Sequence, residues 1–253
     1  MWPYPGILAH RGGGALAPEN TIAALRCGLA HGFHAVEFDV MLAGDGIPVV
    51  LHDPELGRTV AGSGKVPDFA AADLMAMDAG AWFAPAFAGE TVPGYEQVFC
   101  FCLAHRIWMN VEIKPAPGFE EITGRTVAAL TARWLAGVDA AAALAAGWQA
   151  PLLSSFSFAA LLAARAAAPG LARACLFDAV PDDWRRRLAD ADALALHTNH
   201  QNLTPQLAAA VKQAGYGLLC YTVNEPARAR EIRAWGVDAL CTDRIDLIGA
   251  DFA

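Results

Sequence analysis

Residues 152–177, LLSSFSFAALLAARAAAPGLARACLF, decide how this chain folds. The run opens with a short apolar segment ending in two serines, the pattern of a buried strand. Residues 158–168 then carry Phe, Leu and Ala at helical spacing with a single arginine, and Pro169-Gly170 stops them. A second strand is expected at 173–177. A strand, a helix and a further strand in so short a space is the unit of a parallel α/β architecture.

The same rhythm extends in both directions. Strands are expected near 7–10, 35–40, 107–113, 152–155, 173–177, 193–197, 218–223 and 238–242, with helices between them over 21–31, 123–135, 158–168, 182–189, 205–214 and 226–235. Eight strand–helix units in a chain of 253 residues match a TIM (β/α)8 barrel, read as one domain over 1–253. An open, doubly wound sheet is the alternative, because alternation alone does not show closure. One region breaks the rhythm. Asp45-Gly46 lies between two apolar runs and signals a hairpin with a tight primed turn. A glycine- and proline-rich stretch comes next, with one short helix near 68–77. It is read as an insertion at about 54–98, a small subdomain that caps the barrel mouth after the second strand.

Bulk properties narrow the function. Hydrophobic residues make up 55% and charged residues 17%, a core-forming composition. The formal net charge of −8 argues against a nucleic-acid partner, which needs a cationic surface. It also means that any anionic substrate must be drawn in by a local cation. The six cysteines lack a zinc-ribbon spacing and are read as free thiols in a reducing compartment. The first residues carry no secretory signal. The charge-free stretch 140–164 is interrupted by Gly147, Gln149, Pro151 and serines, so it reads as helix, turn, strand and helix, with no membrane insertion. A cytoplasmic protein is expected.

In a TIM barrel the C-terminal ends of the strands share one pocket. Here those ends collect His10-Arg11, Glu37-Phe38-Asp39, His52-Asp53 and Glu112-Ile113-Lys114. Residues two apart on a strand project from one face, so Glu37 joins Asp39 and Glu112 joins Lys114. Three converging carboxylates repel one another unless they are protonated or neutralised by a cation, and oxygen ligands favour Mg²⁺ or Ca²⁺ over zinc. The plainer alternative is that Arg11 and Lys114 merely brace these acids. His10 and His52 suit an acid–base pair, since imidazole titrates near neutrality. Arg11 offers a fork to phosphate and Lys114 a point charge. His197 and His200 read as pocket lining or structural hydrogen-bonders, and Pro18-Glu19-Asn20-Thr21 as a helix start capped by Asn20. No Gly-x-Ser-x-Gly motif supports a serine nucleophile.

These residues resemble the glycerophosphodiester phosphodiesterase family along nearly the whole chain. The resemblance rests on an ordered set: HRGGGALAPENT from His10, VEFDV from Val36, DGIPVVLHD from Asp45, NVEIK from Asn110, SSF from Ser154, YTVN from Tyr221 and GVDALCTD from Gly236. Trp2-Pro3-Tyr4-Pro5, the segment LHTNH from Leu196 and IDLIG from Ile245 resemble the bacterial cytosolic branch. The resemblance implies a TIM barrel with an inserted subdomain, metal ligands at Glu37, Asp39 and Glu112, catalytic His10 and His52, and phosphate contacts from Arg11 and Lys114. It further implies hydrolysis of small glycerophosphodiesters, such as glycerophosphocholine and glycerophosphoethanolamine, to sn-glycerol 3-phosphate and an alcohol. Leu42 replaces a common threonine and Tyr221 a common tryptophan, departures that bear on substrate preference. Lysophospholipase D-like or phosphoinositide-directed cleavage, and a non-catalytic binding barrel, are the competing functions.

Overall fold

The computed structural model describes residues 2–139 and 147–252. Parallel strands β1 (Ile7–Ala9), β2 (Ala35–Leu42), β4 (Trp108–Ile113), β5 (Leu152–Ser155), β6 (Ala172–Phe177), β7 (Ala195–Asn199), β8 (Gly217–Tyr221) and β9 (Ala239–Thr242) pair in sequence. Ala9 then pairs with Val36, which joins β1 to β2 and closes the sheet into a TIM barrel. Closure removes the open doubly wound sheet from consideration.

Helices α1 (Ile22–Ala30), α3 (Tyr95–Ala104), α4 (Glu120–Leu135), α5 (Phe158–Ala167), α6 (Trp184–Ala191), α7 (Pro205–Gln213) and α8 (Pro226–Ala234) return the chain between strands. Their starts are written in the sequence. Thr21, Ser157 and Thr204 each accept a hydrogen bond from a backbone N–H three residues on, and Pro205 and Pro226 occupy first-turn positions where no N–H is needed. The expected Asn20 cap is therefore displaced by one residue: Thr21 caps α1, and Asn20 is turned elsewhere. The helix expected at the start of 140–164 lies outside the described residues at 140–146.

The barrel interior is graded. At the N-terminal ends of the strands, Ala35, Trp108, Leu152, Ala195 and Ala239 form an apolar floor, sealed by Trp2 and by Tyr4, which stacks on Trp108 at 4.3 Å. Two and four residues further along the same strand faces stand Glu37 and Asp39 on β2, and Asn110 and Glu112 on β4. The parallel register sets Asp39 opposite Glu112. Period-two alternation thus carries β2 and β4 from apolar floor to charged mouth.

The hairpin partner β3 (Pro48–Val50) runs antiparallel to β2. Its turn differs from the primed type expected. Gly46 N–H bonds Ala43 O at 2.9 Å and Ala43 N–H bonds Ile47 O at 3.0 Å, and within this turn only Gly46 has a positive φ, of 76°. That is a turn ending in a left-handed glycine, a three-residue hairpin loop. From there to Gly94 the chain is loop-rich, with a 3-10 turn (Val66–Asp68) and helix α2 (Ala71–Met75) where one continuous helix was expected. This segment and the hairpin share their own apolar cluster, including Met41, Val49, Leu51, Val66, Leu74 and Val92. No helix among the described residues is long and apolar enough to cross a membrane.

Candidate active site

The mouth of the barrel gathers the charged residues into one cluster. Glu37, Asp39 and Glu112 are buried, and each offers a carboxylate oxygen within 4.8 Å of the others. Burial, reinforced by Asp39 and Glu112, raises the Glu37 carboxyl well above its usual range. Burial and Asp39 likewise push Glu112 up to about 7. Burial would also raise Asp39, but Lys114, Arg11, His52 and a hydrogen bond from Asn20 outweigh it and hold this carboxyl at about 2. Glu37 Oε1 is buried with no hydrogen-bond partner. An all-oxygen, mutually repelling donor set with an unpartnered lone pair fits a hard divalent cation. His10, Glu37 and Cys241 also approach one another within 4.8 Å, yet burial holds the Cys241 thiol in its protonated form, a poor ligand for such an ion.

Two cations lean over the acids. Lys114 Nζ lies 3.3 Å from Asp39 and 3.2 Å from Glu112, and Arg11 Nε lies 3.6 Å from Asp39. These ion pairs brace the acids, and they leave both cationic groups partly exposed beside the cluster.

Each histidine is held by an aspartate. His10 Nδ1 donates to Asp243 Oδ1 and His52 Nδ1 donates to Asp53 Oδ1, both at 2.6 Å. Asp243 sits below its usual carboxylate range: burial opposes this, but the hydrogen bond and charge of His10 and the Asn224 amide outweigh it. An ionised acceptor fixes the proton on Nδ1 and leaves Nε2 as the free base in the neutral ring. His10 Nε2 is 3.7 Å from Glu37 Oε2, facing the carboxylates. Burial, aided by Arg11 and Lys114, lowers the pKa of His52 against the pull of Asp39 and Asp53.

Several partners were not picked out from sequence. Asn20 is buried and grips Asp39 twice: its Nδ2 donates to Oδ2 at 2.9 Å, and its Oδ1 accepts the Asp39 N–H at 3.2 Å. Glu19 accepts from Arg11 at 2.6 Å and from Arg58 at 2.7 Å, and Arg58 Nε donates to Asp53 at 2.6 Å. One ionic chain therefore runs Arg11–Glu19–Arg58–Asp53–His52. Arg11 and Asn20 both have positive φ, 51° and 60°, a local strain of roughly 1–3 kcal/mol each that such sites sustain. Gly14 lets this loop rest on the last strand, since a Cβ there would lie 2.2 Å from Asp243 O. His197 is fully buried, its ring held neutral by burial with a pKa of about 3, so it is pocket lining without a charge. His200 instead accepts from Arg228 Nε at 3.3 Å.

The model of the glycerophosphoryl diester phosphodiesterase family matches residues 10–247. The chain belongs to that family. A glycerophosphodiester phosphodiesterase of Caldanaerobacter subterraneus is 31% identical over 94% of this chain and 93% of its own. Among solved structures, a phosphodiesterase of Oleispira antarctica in complex with the product sn-glycerol 3-phosphate has a TM-score of 0.82 and 35% identity, covering 94% of this chain and 93% of its own. A glycerophosphodiester phosphodiesterase of Agrobacterium tumefaciens has a TM-score of 0.76 and 28% identity, over 96% and 98%. As a member of this phosphodiesterase family the chain is an enzyme, a phosphoric diester hydrolase.

Proposed function

We propose that this enzyme hydrolyses small glycerophosphodiesters, glycerophosphocholine and glycerophosphoethanolamine among them, to sn-glycerol 3-phosphate and the free alcohol. The observation that carries the reading is the pair of histidines, each tied through Nδ1 to an aspartate at 2.6 Å, beside one buried carboxylate cluster. The product seen in the Oleispira antarctica enzyme supports the same chemistry. Glu37, Asp39 and Glu112 would hold a divalent cation, Mg²⁺ or Ca²⁺, which when bound would neutralise phosphate charge and lower the pKa of a nearby hydroxyl.

The chain's own groups do the rest. Arg11 and Lys114 orient the phosphate by charge-assisted hydrogen bonds and stabilise the charge that builds on its oxygens. One imidazole takes the proton of the glycerol 2-hydroxyl through Nε2, and that oxygen attacks phosphorus. The other imidazole protonates the departing alcohol oxygen. Water then opens the cyclic phosphate with the two roles reversed. A positioned acid or base contributes roughly 10²–10⁴-fold, so both rings are needed. The cysteines are all unpaired, which suits a reducing, cytoplasmic setting.

The test is release of sn-glycerol 3-phosphate from both diesters with Mg²⁺, Ca²⁺ or EDTA, for wild type and His10→Ala. Metal-dependent turnover lost in EDTA and in the variant is expected; a folded enzyme inert with every metal would refute the reading. A 2-deoxy analogue cleaved at the normal rate would replace the cyclic route with direct attack by water. A second reading, cleavage of lysolipids, is favoured by Phe119 and Phe156, exposed by 36% and 47% near the C-terminal ends of β4 and β5. Long-chain lysophosphatidylcholine cleaved faster than glycerophosphocholine would decide for it.

A further inference from the structure

Two hollows of different character meet at His10. One is narrow, about 30 Å³, and lies among Glu37, Asn110, Glu112, Phe156 and Tyr221. The other is open, about 290 Å³, and is bounded by Arg11, Glu19 and Asp243 on the barrel side and by Trp82 and Phe83 of the inserted segment. A glycerophosphodiester has a constant half, the glycerophosphoryl group, and a variable half, the alcohol. The constant half belongs against the buried carboxylates and their cations. The variable half requires room, and the open hollow has it.

The walls of that hollow are selective. Trp82 is 43% exposed, and its Nε1 donates to Ala79 O at 2.8 Å, which fixes the plane of the indole. Phe83 meets it edge-on at 5.6 Å. The loop carrying both is built to hold still: Asp78 accepts from the N–H groups of Gly80, Ala81 and Gly89 at 2.8, 2.7 and 2.5 Å, and Glu90 accepts from Ala23 N–H at 2.9 Å, tying the loop to α1. The lining carries one arginine and two carboxylates, and Arg58 forks onto one of those carboxylates, so the fixed charges around the hollow balance. Those carboxylates are already engaged, Glu19 by Arg11 and Arg58 and Asp243 by His10 and Asn224. A hydroxyl-rich or primary-amine headgroup would meet acceptors already in use. A quaternary ammonium needs no acceptor: it gains from an aromatic face, and a lining without excess positive charge does not repel it.

We infer that Trp82 and Phe83 form the leaving-group subsite and select alcohols bearing a trimethylammonium group, choline-type headgroups, over neutral polyols. The inference rests on the proposed function and adds to it which half of the substrate is read, and by what.

The experiment compares kcat/KM for glycerophosphocholine, glycerophosphoethanolamine and glycerophosphoglycerol in the full chain supplied with divalent cation, as wild type, Trp82→Ala and Trp82→Phe. The wild type prefers choline over glycerol. Trp82→Ala lowers that preference about tenfold, equivalent to about 1.4 kcal/mol, while Trp82→Phe, which keeps an aromatic face, retains it within about threefold. Equal turnover of all three diesters by the wild type, or a choline-to-glycerol ratio unmoved in Trp82→Ala, overturns the headgroup assignment alone. Failure of the wild type to release sn-glycerol 3-phosphate from any of them overturns the proposed function and this inference with it.

Discussion

Replacing Asp243 by asparagine removes one charge and changes no shape, and the hydrogen bonds around it dictate the consequence. Asn224 Oδ1 accepts the Asp243 N–H at 2.8 Å and the Thr242 hydroxyl at 3.3 Å, so its Nδ2 is the end that donates, to Asp243 Oδ2 at 3.1 Å. An asparagine at 243 must turn its carbonyl to that donor, because two amino groups cannot hydrogen-bond. Its own amino group then faces His10 Nδ1, which can only accept from it. The imidazole proton moves to Nε2, the nitrogen 3.7 Å from Glu37, and the base on that side is gone. The charge-assisted hydrogen bond lost is ~1.5–3 kcal/mol, which is roughly 10–150-fold in rate, and the wrong tautomer adds to it. The assay is steady-state release of sn-glycerol 3-phosphate from glycerophosphocholine, with thermal melting run beside it to show an intact fold. Asn224→Ala keeps the carboxylate and removes a hydrogen bond that supports it, about 1.5 kcal/mol, so its deficit is about tenfold and smaller than that of D243N. A D243N enzyme within about threefold of wild type would refute the reasoning, since the tautomer would then carry no catalytic weight.

Three further outcomes are expected. Asp53→Asn faces the same constraint, because Arg58 Nε claims the carbonyl end, so kcat drops by about tenfold or more; an unchanged kcat would take His52 out of proton transfer. Cation binding should strengthen as pH rises from about 6 to 8, because Glu112, raised to about 7, and the raised Glu37 must shed protons to become ligands. Calorimetry in buffers of different ionisation heat would record that release, and heats independent of buffer would remove these two carboxylates from the metal site. His197 has a folded pKa of about 3 against an ordinary 6.5, so the native state binds fewer protons than the unfolded one between those values, and stability is lost as pH falls below 6.5. At pH 5 this amounts to about 2 kcal/mol, which urea unfolding should show in the wild type but not in His197→Leu; parallel losses in the two would contradict the buried, neutral ring.

How much of this was legible in the sequence differs from residue to residue. The facing of Glu37 with Asp39, and of Glu112 with Lys114, was readable because strand alternation is a local property of the backbone. So were the helix starts at Ser157, Thr204 and Pro226, to within a residue or two. The Asp45-Gly46 hairpin was placed correctly but its turn was not: the dipeptide suits several turn types, and loop length selected the one with a single left-handed residue. Asn20 was misread for a comparable reason. An asparagine before a helix is usually its cap, and only the approach of β2 shows that Thr21 takes that role while Asn20 grips Asp39.

By itself, then, the sequence determined the alternation of strands and helices and the family, and it nominated seven residues for the site, because periodicity and ordered motifs are properties of the chain read in one dimension, whereas closure of the barrel rests on the pairing of Ala9 with Val36. Tertiary structure alone decided who holds whom. His10 and Asp243 stand 233 positions apart and meet only because β1 pairs with β9 when the barrel closes. The Arg11–Glu19–Arg58–Asp53–His52 chain exists only where the inserted segment folds back over the first loop. Trp82 and Phe83 reach the same mouth by that route, and no local pattern sets them apart from aromatics of the core. Hydrogen bonds and ion pairs act over a few ångströms of space whatever the separation along the chain, so partner identity waits on the fold.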